Sequence, residues 1–154
     1  MLRIASILQF VFAVMFGYAV VINAAPLQRR QRGDVQCNID RLKVVVGMQE
    51  ALDSVNQLST QLGCNSSFAS NITTAQTGIH GAQVATDGIS QAIFANKTAD
   101  PGLRDQFGGN ITMALAALQA VQPTDSTSNA TLTQALVSLN STGQAGNDVV
   151  ADCH

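Results

Sequence analysis

The sequence has no tryptophan, one tyrosine and six phenylalanines, so aromatic residues make up only 5% of its 154 positions. Removing the apolar N-terminal segment removes Tyr18 as well and leaves Phe68, Phe94 and Phe107 as the only aromatic side chains. Few flat platforms then remain for stacking sugars or bases. Basic residues are equally sparse. Without Arg3, Arg29 and Arg30, five of the eight Lys and Arg face all ten Asp and Glu, a net charge near −5. Phosphate binding needs clustered Lys and Arg, so nucleic acid is not an expected partner. There is no HExxH, no CxxC and no phosphate-binding glycine loop. The cysteines lie far apart, and only the terminal Cys153-His154 pair puts a histidine beside one, so no metal site or cofactor is expected.

Catalytic candidates are weak for stated reasons. Gly88-Ile89-Ser90-Gln91-Ala92 has the outline of a nucleophile elbow, but no strand precedes it and it falls inside a helical pattern. His80 lies opposite the apolar stripe of its helix, where a histidine is solvated and unpartnered. Asp40, Glu50 and Asp53 read as a solvated helix face, with Asp40 favouring the positive end of its helix dipole. The chain is not expected to be an enzyme.

What is present begins with a leader. Arg3, an apolar stretch over residues 10–22 and the small Ala24 and Ala25 form the three parts of a secretory signal. Cleavage after Ala24 puts Ile22 and Ala24 at the positions signal peptidase reads. Residues 4–22 approach the roughly 20 apolar residues that span a bilayer. Gln9 interrupts them, however, and Arg29, Arg30 and Arg32 oppose a positive-inside anchor. The expected organisation is a signal peptide over 1–24, a short propeptide or linker over 25–36 with a dibasic site at Arg29-Arg30, and one domain over 37–154. The product is expected in the extracellular space or cell wall, not as a stable transmembrane protein.

The remaining stretch of about 120 residues suits a single modest core. Its apolar residues recur at helical spacing in four blocks. Ile39, Leu42, Val46, Leu52, Val55, Leu58 and Leu62 form the first stripe, and Phe68, Ile72, Ala75, Ile79, Ala82, Ile89 and Ile93 the second. Leu103, Phe107, Ile111, Ala114, Leu118 and Val121 form the third; Leu132, Leu136, Leu139, Gly146, Val150 and Cys153 form the fourth. Asn38 is placed to cap the first helix and Gly63 to end it in a left-handed turn. Asp100-Pro101 is a cap followed by proline at the first helical position. Pro123 and the polar run after it separate the last two helices. Gly108-Gly109 is expected to kink or break helix 3. The fold class is all-α, an up-down-up-down four-helix bundle. On helix 2, Gly78, Gly81, Ala85, Gly88 and Ala92 form a second, small-residue face. It either lets a neighbouring backbone approach or walls an apolar groove.

That topology brings the start of helix 1 and the end of helix 4 to the same end of the bundle, so Cys37 and Cys153 are expected to pair. Cys64, in the first connection at the opposite end, is left as a free thiol or a bridge to a second chain. Asn-x-Ser/Thr, the N-glycosylation acceptor pattern, occurs at Asn65, Asn71, Asn96, Asn110, Asn129 and Asn140, so a secreted glycoprotein is expected. Asn65, Asn96 and Asn129 fall in connections or at helix ends; the other three lie near helix faces.

A short prosegment ending in Arg29-Arg30, followed by one Ala/Ser/Thr/Gln-rich helical domain with almost no aromatics, resembles the fungal hydrophobic surface binding protein A family, which includes cell-wall galactomannoproteins. The similarity covers roughly residues 35–152 and lies in pattern, not in a signature motif; the cysteines depart from the cysteine-poor family pattern. The resemblance implies a noncatalytic secreted or wall-associated protein that adsorbs to hydrophobic surfaces or holds lipid, such as a fatty acid, in an apolar interior. From the residues themselves, the expected lining is Ile79, Ala82, Ile89 and Ile93 facing Leu115, Leu118, Leu136 and Leu139. The competing expectation is a structural wall component or effector-like interaction protein with a fully packed core.

Overall fold

A computed structural model describes residues 35–63 and 67–153. The expected signal peptide and dibasic site, Cys64, Asn65 and His154 lie outside them. The described residues form four helices: α1 Val35–Leu62, α2 Ala69–Phe94, α3 Pro101–Gln119 and α4 Ser126–Asp152. They run up-down-up-down as a four-helix bundle. Helix α1 packs most extensively on α4 and α2 on α3, while the two pairs meet along the sparser α1–α2 and α3–α4 contacts.

The ends of the helices follow local chemistry. Gly63 adopts φ 74° and donates its N–H to Ser59 O at 3.0 Å, the left-handed stop expected there. Asp100 accepts from Gly102 N at 2.9 Å, with Pro101 opening α3. Asp125, not the Ser/Thr residues around it, caps α4 by accepting from Ser128 N at 2.8 Å. Two expectations are corrected. Helix α1 already runs from Val35, so Asn38 lies inside it and not at its N-cap position. Helix α3 runs unbroken through Gly108-Gly109, because Phe107, Ile111, Ala114 and Leu118 hold both sides of the pair against the bundle. Tertiary packing outweighs the helix penalty of two glycines.

One core joins all four helices. Val55, Leu58, Ile79, Leu118 and Leu139 are its largest fully buried apolar side chains, with Ala51, Ala75, Ala82, Ala114 and Ala135 filling between them. Phe68 and Phe107 pack against it half-buried. Helix α4 turns a smaller face toward α1: Ser138 and Thr142 are buried, and Thr142 Oγ1 donates to Ser138 O at 2.7 Å, hiding its hydroxyl in its own helix. A methyl group on Gly47 of α1 would collide with the Thr142 side chain, so the α1–α4 contact depends on that glycine. Cys37 and Cys153 form the disulfide expected from the topology, with Cα atoms 5.1 Å apart.

The apolar stripes of α1 and α4 differ in part from the sequence expectation. In α1 the inward residues are Cys37, Asp40, Val44, Gly47, Met48, Ala51, Val55 and Leu58. Ile39, Leu42 and Val46 are 42%, 62% and 44% exposed. In α4, Val150 points outward while Ala135, Thr142 and Ala145 point in.

Candidate functional site

The outward face of α1 is the largest departure of the fold from simple amphipathic logic. Val35, Ile39, Leu42 and Val46 follow one another at steps of four, three and four, so they lie in one line along the helix. At 100° per residue that line sits roughly 140–200° from Cys37. The disulfide and the Gly47–Thr142 approach fix the rotation of α1 about its axis, and with Cys37 held inward these four must point away from the bundle. Val45, 52% exposed, widens the strip. Beyond Val46 the same line becomes polar with Gln49 and Asp53, which bond each other at 2.9 Å.

Among the described residues no Asn-x-Ser/Thr falls on this face. Helix α1 contains no Asn-x-Ser/Thr. Asn96, Asn129 and Asn140 are exposed elsewhere, on the α2–α3 turn and along α4. Asn71 is half-buried. Asn110 is wedged between α2 and α3, its amide within 2.7 Å of where a methyl on Gly81 would stand.

The residues expected to line an apolar interior are brought together only in part. Ile79, Ala82, Leu118 and Leu139 lie in the fully buried core, and Leu115 and Leu136 pack against it half-buried. Ile89 and Ile93 sit half-buried near the C-terminal end of α2, apart from that cluster. The small-residue face is closed by α3. A methyl on Gly78 would stand 2.7 Å from Asn110 O and 3.0 Å from Ala114 Cβ, and one on Gly88 3.0 Å from Leu103 Cδ1. Of the two roles open to that face, close helix packing is the one it performs.

Beside the disulfide, Asp40 is completely covered, contrary to its reading as a solvated residue. Lys43 Nζ donates to Asp40 Oδ1 at 2.8 Å, and Gln36 Nε2 reaches both carboxylate oxygens at 3.0 Å. These bonds, Lys43 first and Gln36 second, hold the Asp40 carboxyl below its ordinary pKa against the opposing effect of burial. The same carboxylate raises the pKa of Lys43, helped by Asp148 and Asp152 at the end of α4. The bonded cluster lies within α1, and the charge of Lys43 faces Asp148 and Asp152 at the end of α4. Two sequence cues to it existed: the i, i+3 spacing of Asp40 and Lys43, and the position of Asp40 one turn beyond Cys37.

Other polar candidates are dispersed. His80 is exposed and its Nδ1 meets Gln83 Oε1 at 3.0 Å. Ser90 lies within α2. Glu50 and Asp53 are exposed. Among the described residues no three His, Cys, Asp or Glu gather as metal ligands, and no helix is long and apolar enough to cross a membrane. No family model, curated protein or solved structure matches the chain.

Proposed function

We propose that the chain is a secreted, noncatalytic amphiphilic module that adsorbs to hydrophobic surfaces through the outer face of α1. The observation that carries this reading is the aligned, solvent-facing Val35, Ile39, Leu42 and Val46 on the one described helix without an Asn-x-Ser/Thr. With Val45, their fractional exposures amount to roughly 400 Å² of surface, the size of patch that on a monomer often marks an interaction site. A stable protein partner usually covers about 800 Å² on each side, twice what the strip offers. A flat apolar phase needs no such area or shape match. At about 25 cal/mol per Å², full burial would contribute at most about 10 kcal/mol before the cost of immobilisation. The resemblance to the hydrophobic surface binding protein A family points the same way.

Depletion from solution by hydrophobic beads tests it. The wild-type protein should be depleted, and Ile39→Ser/Leu42→Ser should remain in solution while keeping the wild-type melting curve. Equal depletion of both proteins would remove α1 from the reading.

The pairing of α1 with α4 and of α2 with α3 supports a second mode, in which the bundle loosens between the pairs to admit an acyl chain among Ile79, Leu118 and Leu139. Long-chain fatty acid should then raise the Tm and a short-chain acid should not. Unchanged melting with both acids, together with no bead depletion, would leave the structural or effector-like role.

A further inference from the structure

Phe94 is the misplaced aromatic of the domain. Phe68 and Phe107 pack against the core, whereas Phe94, the last residue of α2, is 84% exposed. An exposed phenyl ring contributes little burial to the fold and leaves its face open to an apolar contact. Its surroundings are specific. Two residues on is Asn96, the acceptor of Asn96-Lys97-Thr98, and residues 94–98 are all exposed. Asn96 is the one non-glycine residue with positive φ among the described residues, at 54°. Asn96 N–H donates to Ile93 O at 3.0 Å and Lys97 N–H to Ala92 O at 2.8 Å, the paired bonds of a Schellman stop with asparagine in its left-handed position. The turn therefore holds the acceptor in a fixed conformation at the helix end, next but one to a ring with no protein partner in the core.

We propose that Asn96 carries an N-linked glycan whose first N-acetylglucosamine packs on the ring of Phe94. The proposal rests on the secretory reading, since the sugar donor is a lipid diphosphate-linked oligosaccharide of that pathway. Asn96 Nδ2 bonds to C1 of the sugar, the C1–O bond to the diphosphate breaks, the lipid diphosphate leaves, and the amide proton passes to the transferase. The axial C–H face of the pyranose is apolar and slightly positive, matching the negative face of an aromatic ring. Covalent attachment fixes the sugar beside the ring, so a weak contact suffices. The other acceptors exposed among the described residues, Asn129 and Asn140, have no aromatic residue two positions before them; Thr127 and Ser138 stand there.

The test uses the full chain expressed in a eukaryotic secretory host. Thr98→Ala abolishes the acceptor but keeps Asn96 in its turn. Site occupancy is read by mass spectrometry, and melting is compared for wild type, Thr98→Ala, Phe94→Ala and the double variant. Asn96 should be occupied, and Thr98→Ala should lower the Tm by about 2–5 °C, the shift expected for one aromatic contact in a domain of this size. In the Phe94→Ala background the same substitution should have no effect, and the effect should vanish in protein made without glycosylation. An equal drop in both backgrounds overturns the packing of sugar on ring. An unoccupied Asn96 overturns the proposal outright: sugar at Asn129 or Asn140 in the same chains leaves the secretory reading standing, whereas retention of residues 1–24 with no acceptor used removes both.

Discussion

Replacing Gly78 with alanine distinguishes a closed α2–α3 contact from an open cavity wall, because the two arrangements give opposite signs. Alanine in place of glycine inside a helix gains roughly 0.5–1 kcal/mol from the unfolded chain's lost freedom. At Gly78 the new methyl would stand 2.7 Å from Asn110 O and 3.1 Å from Ala114 N, both backbone atoms that cannot rotate away. The two helices must separate, an overpacking cost of about 1–3 kcal/mol, weighted to the upper end because backbone must move. The net expectation is a loss of about 1–2 kcal/mol. Gly108 and Gly109 supply the control: neither has an atom within 4 Å of its added methyl, so Gly109→Ala should stabilise by about 0.5–1 kcal/mol. Urea unfolding with a shared m-value measures both. The two variants should move in opposite directions and differ by about 1.5–3 kcal/mol. A Gly78→Ala protein as stable as wild type would mean that the face is open and that the packing described is wrong.

Other consequences follow from the disulfide end of the bundle. The Cys37–Cys153 bridge spans 116 residues in sequence, so removing it by paired alanine substitution should cost up to about 4.7 kcal/mol in the chain-entropy model. The folded pKa values of Asp40 and Asp125 lie below their ordinary value of 3.8, so the stability they contribute is complete above that value and is lost as the pH falls through the folded values. Asp40→Asn should therefore lower the Tm at pH 7, and the difference from wild type should shrink as the pH falls below 3.8. Lys43 is raised above 10.5, so its contribution is complete below that value and disappears as the pH rises beyond it. Melting curves across the pH range check both limits. In the core, Leu58→Ala should cost about 2–5 kcal/mol because the side chain is fully buried.

Much of this architecture was legible in the sequence because helix formation leaves a strong periodic trace. The central parts of the α2 and α3 stripes read correctly: Ile72, Ala75, Ile79 and Ala82 are buried, as are Ile111, Ala114 and Leu118, whereas Ile89 and Ile93 are only half-buried. The disulfide followed from topology alone. The α1 stripe misled because the N-terminal half of that helix is apolar on both sides, and large side chains attract attention over Cys37, Gly47 and Ala51, which face inward. The expected Cys37–Cys153 bond already implied the rotation of α1, so Ile39 and Leu42 could have been placed outside from sequence. Asp40 was misread because solvation is the ordinary fate of a carboxylate, and its burial depends on Gln36 and Lys43 closing over it. The roles of Gly78 and Gly88 could not be read at all. Small residues permit either a close neighbour or a void, and only the path of α3 decides between them.

Because the chain has no tryptophan, a single introduced indole reports its own environment without interference. Leu42→Trp places it on the outer face of α1, and Val84→Trp places it at a 69% exposed position on α2. Emission and acrylamide quenching of both proteins, measured free and bound to hydrophobic beads, test the adsorbing face most directly. If α1 meets the surface, the indole at position 42 should shift to the blue and become protected on binding while that at position 84 stays solvent-like. A shift at position 84, or an unchanged indole at position 42 on bead-bound protein, would contradict adsorption through α1.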